Sequence, residues 1–500
     1  MQLKKTIAWS LWVLLLSACD LEIESPTVLK DFKTPASSAE VIRFSNRAVS
    51  HSNVLTLEPI GTSETGIPLV AVKAASNISQ DTEQKLKVLI FAQQHGNEQS
   101  GKEAALLLIS DLAKGKHEHW LENMEIWIVP QLNPDGSDVN QRRNAGGIDL
   151  NRDHIVQLAP ETRAIQELFR REMHHVTVDI HEYQPFRESW EEFGAYKTFD
   201  VQVGVPTNPN VSTSIRDFAL DTALAAIESH LNQQGFSFHN YLVGPVPTEG
   251  RTRHSTVDFD DGRQSFAIRN TLSFIYEGIN GPDGFAENLE RRTWGQYEAL
   301  QALLELLHTR APETIALVET ERDELRHAQP GEPVAIRMEH FPGEQPLLLS
   351  LTSSRTGNDT LVVVEEYHPV VKPLVFAQRP KAYLVPKNDT TLLNFLELHQ
   401  VEYREDFPQK QLRFISYKID SISNSVDEEL TNRYPVVSKQ EREFENPAAE
   451  YFYVPTAQLH ANFLVSLFEP QSMLGLAQRP GYEYLLQEGA DFPILRAETD

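Results

Sequence analysis

His95 and Glu98 stand three residues apart in "QQHGNEQSGKEAALLL" (93–108), where an apolar run ends and a helix-forming run begins. A catalytic zinc needs three protein ligands and one open position for water, and an imidazole with a carboxylate supplies two of them. The spacing alone is common. Its position is more telling, because the pair follows a buried-strand pattern and so sits at the mouth of a sheet, where α/β proteins bind ligands. The third donor must come from another strand end, and His181 in "VDIHEYQP" (178–185) is placed to provide it. Taken by itself, His181 also reads as a hydrogen-bonded core histidine. His174 and His175 lie at a helix end with no sheet to hold them. The intervening "QLNPDGSDVNQRRNAGGIDLNRDH" (131–154) adds two arginines, a glycine pair and then Asn151 and Arg152. Fixed positive charge beside amide donors suits an anionic end of a substrate, since guanidinium groups bind carboxylates in bidentate fashion. A solvated loop is the plainer reading of such dipeptides taken singly.

These residues need a scaffold, and the chain predicts one. From about 51 to 310 the hydrophobic period alternates. "KVLIFAQQ" (87–94), "MEIWIVPQLN" (124–133), "VTVDIHE" (176–182) and "TLSFIYEG" (271–278) read as buried strands. Helical spacing covers 100–115, about 160–174, 214–235 and about 284–309. Such alternation predicts an α/β fold with a mixed, mostly parallel sheet flanked by helices on both faces. Beyond "RAPET" (310–314) the segments become short, β-rich and punctuated by Pro, Gly and Asn-Asp, with helical spacing returning at 390–402 and 457–470. We therefore divide the chain into residues 1–19 as a signal segment, 20–50 as a tether, 51–310 as the α/β domain and 311–500 as a β-rich accessory region with some helix.

Length and charge restrict the function further. Five hundred residues suit two or three domains. With 45 Lys+Arg against 71 Asp+Glu the formal net charge is −26, which repels phosphate backbones and argues against a nucleic-acid partner. The amino terminus, "MQLKKTIAWSLWVLLLSACD", has two lysines, an apolar stretch too short for an ordinary span, and then small residues, as in a secretory signal. Its "LSAC" resembles the bacterial lipobox, and Cys19 is the only cysteine in the chain. A lipid-anchored envelope protein facing the periplasm is the expectation, with a plain signal peptide as the alternative. Asp20 resembles an inner-membrane retention signal. Membrane contact is expected through the anchor alone, and nothing in the sequence fixes an oligomeric state.

Five separated segments, taken together, resemble the zinc carboxypeptidase family in the family's own order: "HGNE", "NPDG", an Arg-x-Asn running into "DLNR", a histidine after a β-strand, and "LSFIYEG". The resemblance spans about residues 50 to 310. It implies removal of C-terminal residues from peptides or proteins, with one zinc held by His95, Glu98 and His181. It implies that Asp149 orients His95 through the ring nitrogen turned away from the metal. Arg142 would polarise the scissile carbonyl, with Arg143 as the competing assignment. Asn151 and Arg152 would hold the substrate's terminal carboxylate, and Glu277 would serve as general base and then acid.

The chain also departs from the family. Its pancreatic members carry a substrate-closing tyrosine a short way before the catalytic glutamate, and "EGRTRHSTVDFDDGRQSFAIRN" (249–270) has none. Tyr241 lies further off, and Tyr276 points to the opposite side of its strand from Glu277. His254 or Arg263 could close the site instead. Asp258, Asp260 and Asp261 could line a pocket for a basic side chain, or form an ordinary solvated acidic loop. Segments of 311–500 are similar to C-terminal extensions of some bacterial members, which suggests packing on the catalytic domain or shaping of its cleft. Three rival functions share much of the same site: a zinc deacylase of N-acyl amino acids, a hydrolase of murein stem peptides, and a catalytically silent binding lipoprotein.

Overall fold

The computed structural model describes residues 23–76, 84–408, 412–427 and 430–499. The signal segment with Cys19 and Asp20 lies outside them. Eight strands form the central sheet: β1 (Leu55–Thr62), β2 (Pro68–Ala74), β3 (Leu86–Ala92), β4 (Met124–Val129), β5 (Val176–Tyr183), β6 (Val201–Gly204), β7 (Phe238–Asn240) and β8 (Leu272–Ile279). Their order is β1-β2-β4-β3-β5-β8-β6-β7. The centre is parallel, with β3 pairing β4 and β5, and β5 pairing β8. The pairings of β1 with β2, β2 with β4 and β6 with β8 are antiparallel, and β6 pairs β7 in parallel. This is the expected mixed α/β sheet.

The central strands are apolar almost throughout because successive side chains point to opposite faces and both faces are covered. In β3, Val88, Ile90 and Ala92 join one core with helices α1 (Ser38–Ser50), α2 (Gln99–Ala113) and α4 (Leu289–Thr309). Leu89 and Phe91 face the other core, against α3 (Pro160–Glu172). β5 and β8 break this rule on one side only. Val176, Val178 and Ile180, with Leu272, Phe274 and Tyr276, enter the first core. Thr177, Asp179, His181, Ser273 and Glu277 lie on the opposite face, and the register puts Glu277 beside His181. Two adjacent strands thus carry a polar stripe that runs to the carboxyl end of the sheet.

Two expected boundaries are corrected. The segment 20–50 is not simply a tether, because α1 packs Val41, Phe44 and Ala48 into the first core. A capping box starts this helix, with the Ser37 side chain accepting from the Glu40 amide and Glu40 accepting from the Ser37 amide. Nor does the β-rich region begin at 311. Helix α5 (Ala311–Arg326) places Ala311 and Val318 in the first core, and the next long strand starts at Pro333. From there a strand pair (Pro333–Phe341 with Val370–Gln378), a hairpin (Leu347–Ser353 with Asp359–Val364) and a five-stranded antiparallel sheet follow. The helices expected at 390–402 and 457–470 form as Thr390–Leu398 and Ala461–Phe468.

The C-terminal region has a small core of its own around Ala382, Leu384, Tyr453, Leu495 and Ala497, but its main core is shared. Its largest cluster also contains Ile155, Val156, Val257, Phe259 and Ile268, all from the α/β part of the chain. Residues 256–262 are therefore gripped from both sides, which matters because they form one wall of the cleft described next.

Candidate metal centre and substrate cleft

The loop that leaves β3 is shaped by its neighbours more than by its own propensity. Gln93 adopts φ 61, and its Nε2 donates to the Gly96 carbonyl. The Asn133 amide group donates to the Gln94 and Arg142 carbonyls while its Oδ1 accepts from the Gly136 amide. A Cβ on Gly96 would lie 2.2 Å from the Gly136 carbonyl carbon, so "HGNE" and "NPDG" pack backbone against backbone where a side chain cannot fit. "NPDG" is thus a staple for the loop and contributes no ligand.

Three donors converge above the sheet. Glu98 Oε1 lies 2.8 Å from His95 Nδ1, Glu98 Oε2 lies 2.9 Å from His181 Nδ1, and the two Nδ1 atoms are 3.1 Å apart. All three residues are buried. They are the one group of three His, Cys, Asp or Glu residues among those described whose ligand atoms could surround an ion. The rear nitrogen of each imidazole is held by a carboxylate. Asp149 Oδ1 sits 3.0 Å from His95 Nε2, and Asp179 Oδ1 sits 2.9 Å from His181 Nε2. Such outer carboxylates fix the tautomer and leave Nδ1 free to bind a cation. The donor set, two neutral imidazole nitrogens and one carboxylate with backing partners, fits zinc.

The electrostatics point the same way. Burial raises the Glu98 pKa, but His95 and His181 outweigh it and hold the carboxylate well below its usual range. Burial disfavours charge on His181, yet Asp179 and Glu98 push its pKa well above the ordinary value. Carboxylates this close to two rings create a strong demand for positive charge at their centre.

Around this centre lies a cavity of roughly 390 Å³ lined by Arg142, Asn151, Arg152, Tyr241 and Glu277, among others. Arg142 Nε donates to Asp149 Oδ2 at 2.9 Å, and its Nη1 lies 3.6 Å from Glu98 Oε1. Arg143 instead donates to the Gly147 carbonyl and does not line the cavity. Asn151 Oδ1 accepts from the Gly262 amide at 2.7 Å and from Gln94 Nε2 at 3.2 Å. Its NH₂ is therefore the end left for a ligand. Arg152 Nη1 donates to the Asn151 carbonyl. Burial raises the Glu277 pKa, so the group is poised for proton transfer nearer neutrality than an exposed glutamate.

Some expectations fail here. Tyr241 is not remote, because its hydroxyl hydrogen-bonds Glu277 inside the cleft. Neither His254 nor Arg263 lines the cavity; both are buried, and Arg263 is tied to Ser255, Thr256 and Asp261. Asp258 and Asp260 do not form a basic-side-chain pocket, since Arg479 of the C-terminal region binds both, at 2.8 Å and 3.1 Å. Tyr276 does point away from Glu277, donating to the Ala299 carbonyl. Asp179 was legible yet overlooked: it precedes His181 by two residues, the spacing that puts both on one face of a strand.

A metal-binding strand-end site with an adjacent carboxylate and a guanidinium-lined cleft defines a metal-dependent hydrolase. A model of the zinc carboxypeptidase family matches residues 44–186. Carboxypeptidase 2 of Trichophyton tonsurans is 24% identical over 442 residues, covering 85% of this chain and 78% of the fungal one. Carboxypeptidase E of Caenorhabditis elegans is 30% identical over 118 residues, covering 20% and 25%. Among solved structures, a metallo-carboxypeptidase from Burkholderia cenocepacia aligns at 19% identity and TM-score 0.43, over 55% of this chain and 70% of that one. The matched segment holds His95, Glu98 and His181, and over it the chain is similar to zinc carboxypeptidases, hydrolases that remove C-terminal residues from peptides.

Asp179→Asn is expected to lower zinc affinity by about 10–100-fold, because the amide cannot hold the His181 imidazole in the ligating tautomer as firmly. Competition with a chromogenic chelator measures this directly, and unchanged affinity would remove Asp179 from the metal site.

Proposed function

We propose the following division of labour within the cleft. His95, Glu98 and His181 hold zinc, which when bound supplies Lewis acidity and makes water a far better nucleophile near neutral pH. Asn151 and Arg152 grip the terminal carboxylate of the peptide and place its last amide bond beside Glu277. Glu277 takes the proton of the attacking water and delivers it to the leaving amine, so that one carboxylate acts first as base and then as acid. The developing oxyanion is met by the Arg142 guanidinium, which Asp149 holds in place. Tyr241 donates to Glu277 and keeps its carboxylate oriented. The observation that carries this reading is the register of β8 against β5, which sets Glu277 level with the ligand His181. Glu277→Gln should fold, bind zinc with near-normal affinity and lose about 10²–10⁴ in kcat. A fully active variant would dismiss Glu277 from the chemistry.

We further propose that the protein works at the bacterial cell envelope, lipid-anchored through Cys19 on the periplasmic side, with Asp20 favouring the inner membrane. The signal-like start of the sequence supports this. No helix among the described residues is long and apolar enough to cross a membrane. In that setting the substrates are protein tails, scavenged peptides or murein stem peptides. Globomycin should make an unprocessed precursor accumulate in a bacterial host, and normal processing in its presence would refute the lipid anchor.

A further inference from the structure

Most charged groups lining the cleft are already engaged. Glu98 faces the two imidazoles. Glu182 accepts from Arg292 through both carboxylate oxygens. Asp261 accepts from the Gln264 amide at 2.6 Å, the Thr256 hydroxyl at 3.0 Å and Arg263 Nη2 at 3.1 Å. Glu277 accepts from Tyr241. Asp258 and Asp260, on the same wall, are claimed by Arg479 from the C-terminal region. Among the described residues no lining carboxylate is therefore left to receive a lysine or arginine side chain.

The cations divide differently. Arg142 is tied to Asp149, and Arg152 is tied to the Asn151 carbonyl and faces Asp261. Arg187 also lines the cleft, is exposed, and makes no side-chain hydrogen bond or ion pair among the described residues. It lies beyond the end of β5, just before the short helix Glu188–Phe193. That segment is held by the C-terminal hairpin, where Ala195 and Tyr196 pair with Ser353 and Thr352. The position of Arg187 beside the cleft is thus fixed by the fold even though its guanidinium has no partner.

From this we infer that the cleft selects peptides with Asp or Glu in the last two residues and disfavours Lys or Arg there, with Arg187 as the specificity-determining residue. The inference rests on the reading of this cleft as the peptide site. A basic side chain would enter among Arg142, Arg152 and Arg187 with no unpaired carboxylate to meet it, and such like-charge juxtaposition is the element that discriminates against a wrong substrate. An acidic side chain would meet Arg187, the lining cation that has no partner among the described residues. The C-terminal region enforces the choice by supplying Arg479, which cancels the acidic loop that otherwise invites a basic residue.

The test uses the full chain loaded with zinc and acyl-dipeptides that differ only by Glu, Gln or Lys at the last or the penultimate position. Glu should exceed Gln by about fivefold in kcat/KM at one position at least, the size expected of a partly exposed ion pair, and Lys should be slowest. The Glu-to-Gln ratio should fall with added salt. In Arg187→Gln it should collapse toward one, and in Arg187→Glu the order of Glu and Lys should reverse. Lys as the fastest substrate, or a Glu-to-Gln ratio that neither variant moves, would overturn the specificity while leaving the peptidase intact. No release from any peptide by zinc-loaded enzyme would overturn both the specificity and the peptide-site reading.

Discussion

Two buried imidazoles and a buried carboxylate meet within about 3 Å of one another at the floor of the cleft. Burying an ionised carboxylate is costly unless it is paired, and the surrounding structure is organised around that cost. Asp149 and Asp179 turn the rings so that their Nδ1 atoms face inward. Gln94 donates to Asp179 and to Asn151, so the metal centre and the Asn151 side chain share one hydrogen-bond network. The sheet makes this possible, because one face of β5 and β8 carries Thr177, Asp179, His181, Ser273 and Glu277, a polar stripe that reaches the carboxyl end of the sheet.

The same constraint explains the C-terminal region. Gly262 holds Asn151 through its backbone amide, so the loop 256–262 sets the orientation of the Asn151 side chain in the cleft. Burial pushes the Asp260 carboxyl up to about 7, with Arg479 working in the opposite direction. Arg479 binds Asp258 and Asp260, Ile155 donates its amide to Asp260, and Val257 and Phe259 sink into a core built mostly from residues beyond 333. A loop carrying three acidic residues is thereby made into a wall. The accessory region completes the cleft from behind and makes no contact with the three metal donors among the bonds described.

What the sequence disclosed and what it withheld follow from range. "HGNE" was legible because a strand end and a helix start are local signals, and His181 and Glu277 because each closes a buried strand. The helix at 38–50 was signalled by the Ser37–Glu40 capping box but was masked by its polar surface. Arg479 and Tyr241 were not legible, since one reaches the site across more than two hundred residues and the other by a chain path that bends back between β7 and β8. Pairing between such distant residues leaves no periodic trace. The acidic loop misled for the same reason: three aspartates invite a basic ligand until the partner that occupies two of them is known.

The most direct measurement of the central claim is mass spectrometry of a mixed peptide pool, murein stem peptides included, incubated with the protein with and without a chelator. The account predicts stepwise loss of single C-terminal residues, abolished by chelation and restored by zinc. Intact peptides in the presence of stoichiometrically bound zinc, or cleavage that persists under chelation, would contradict it.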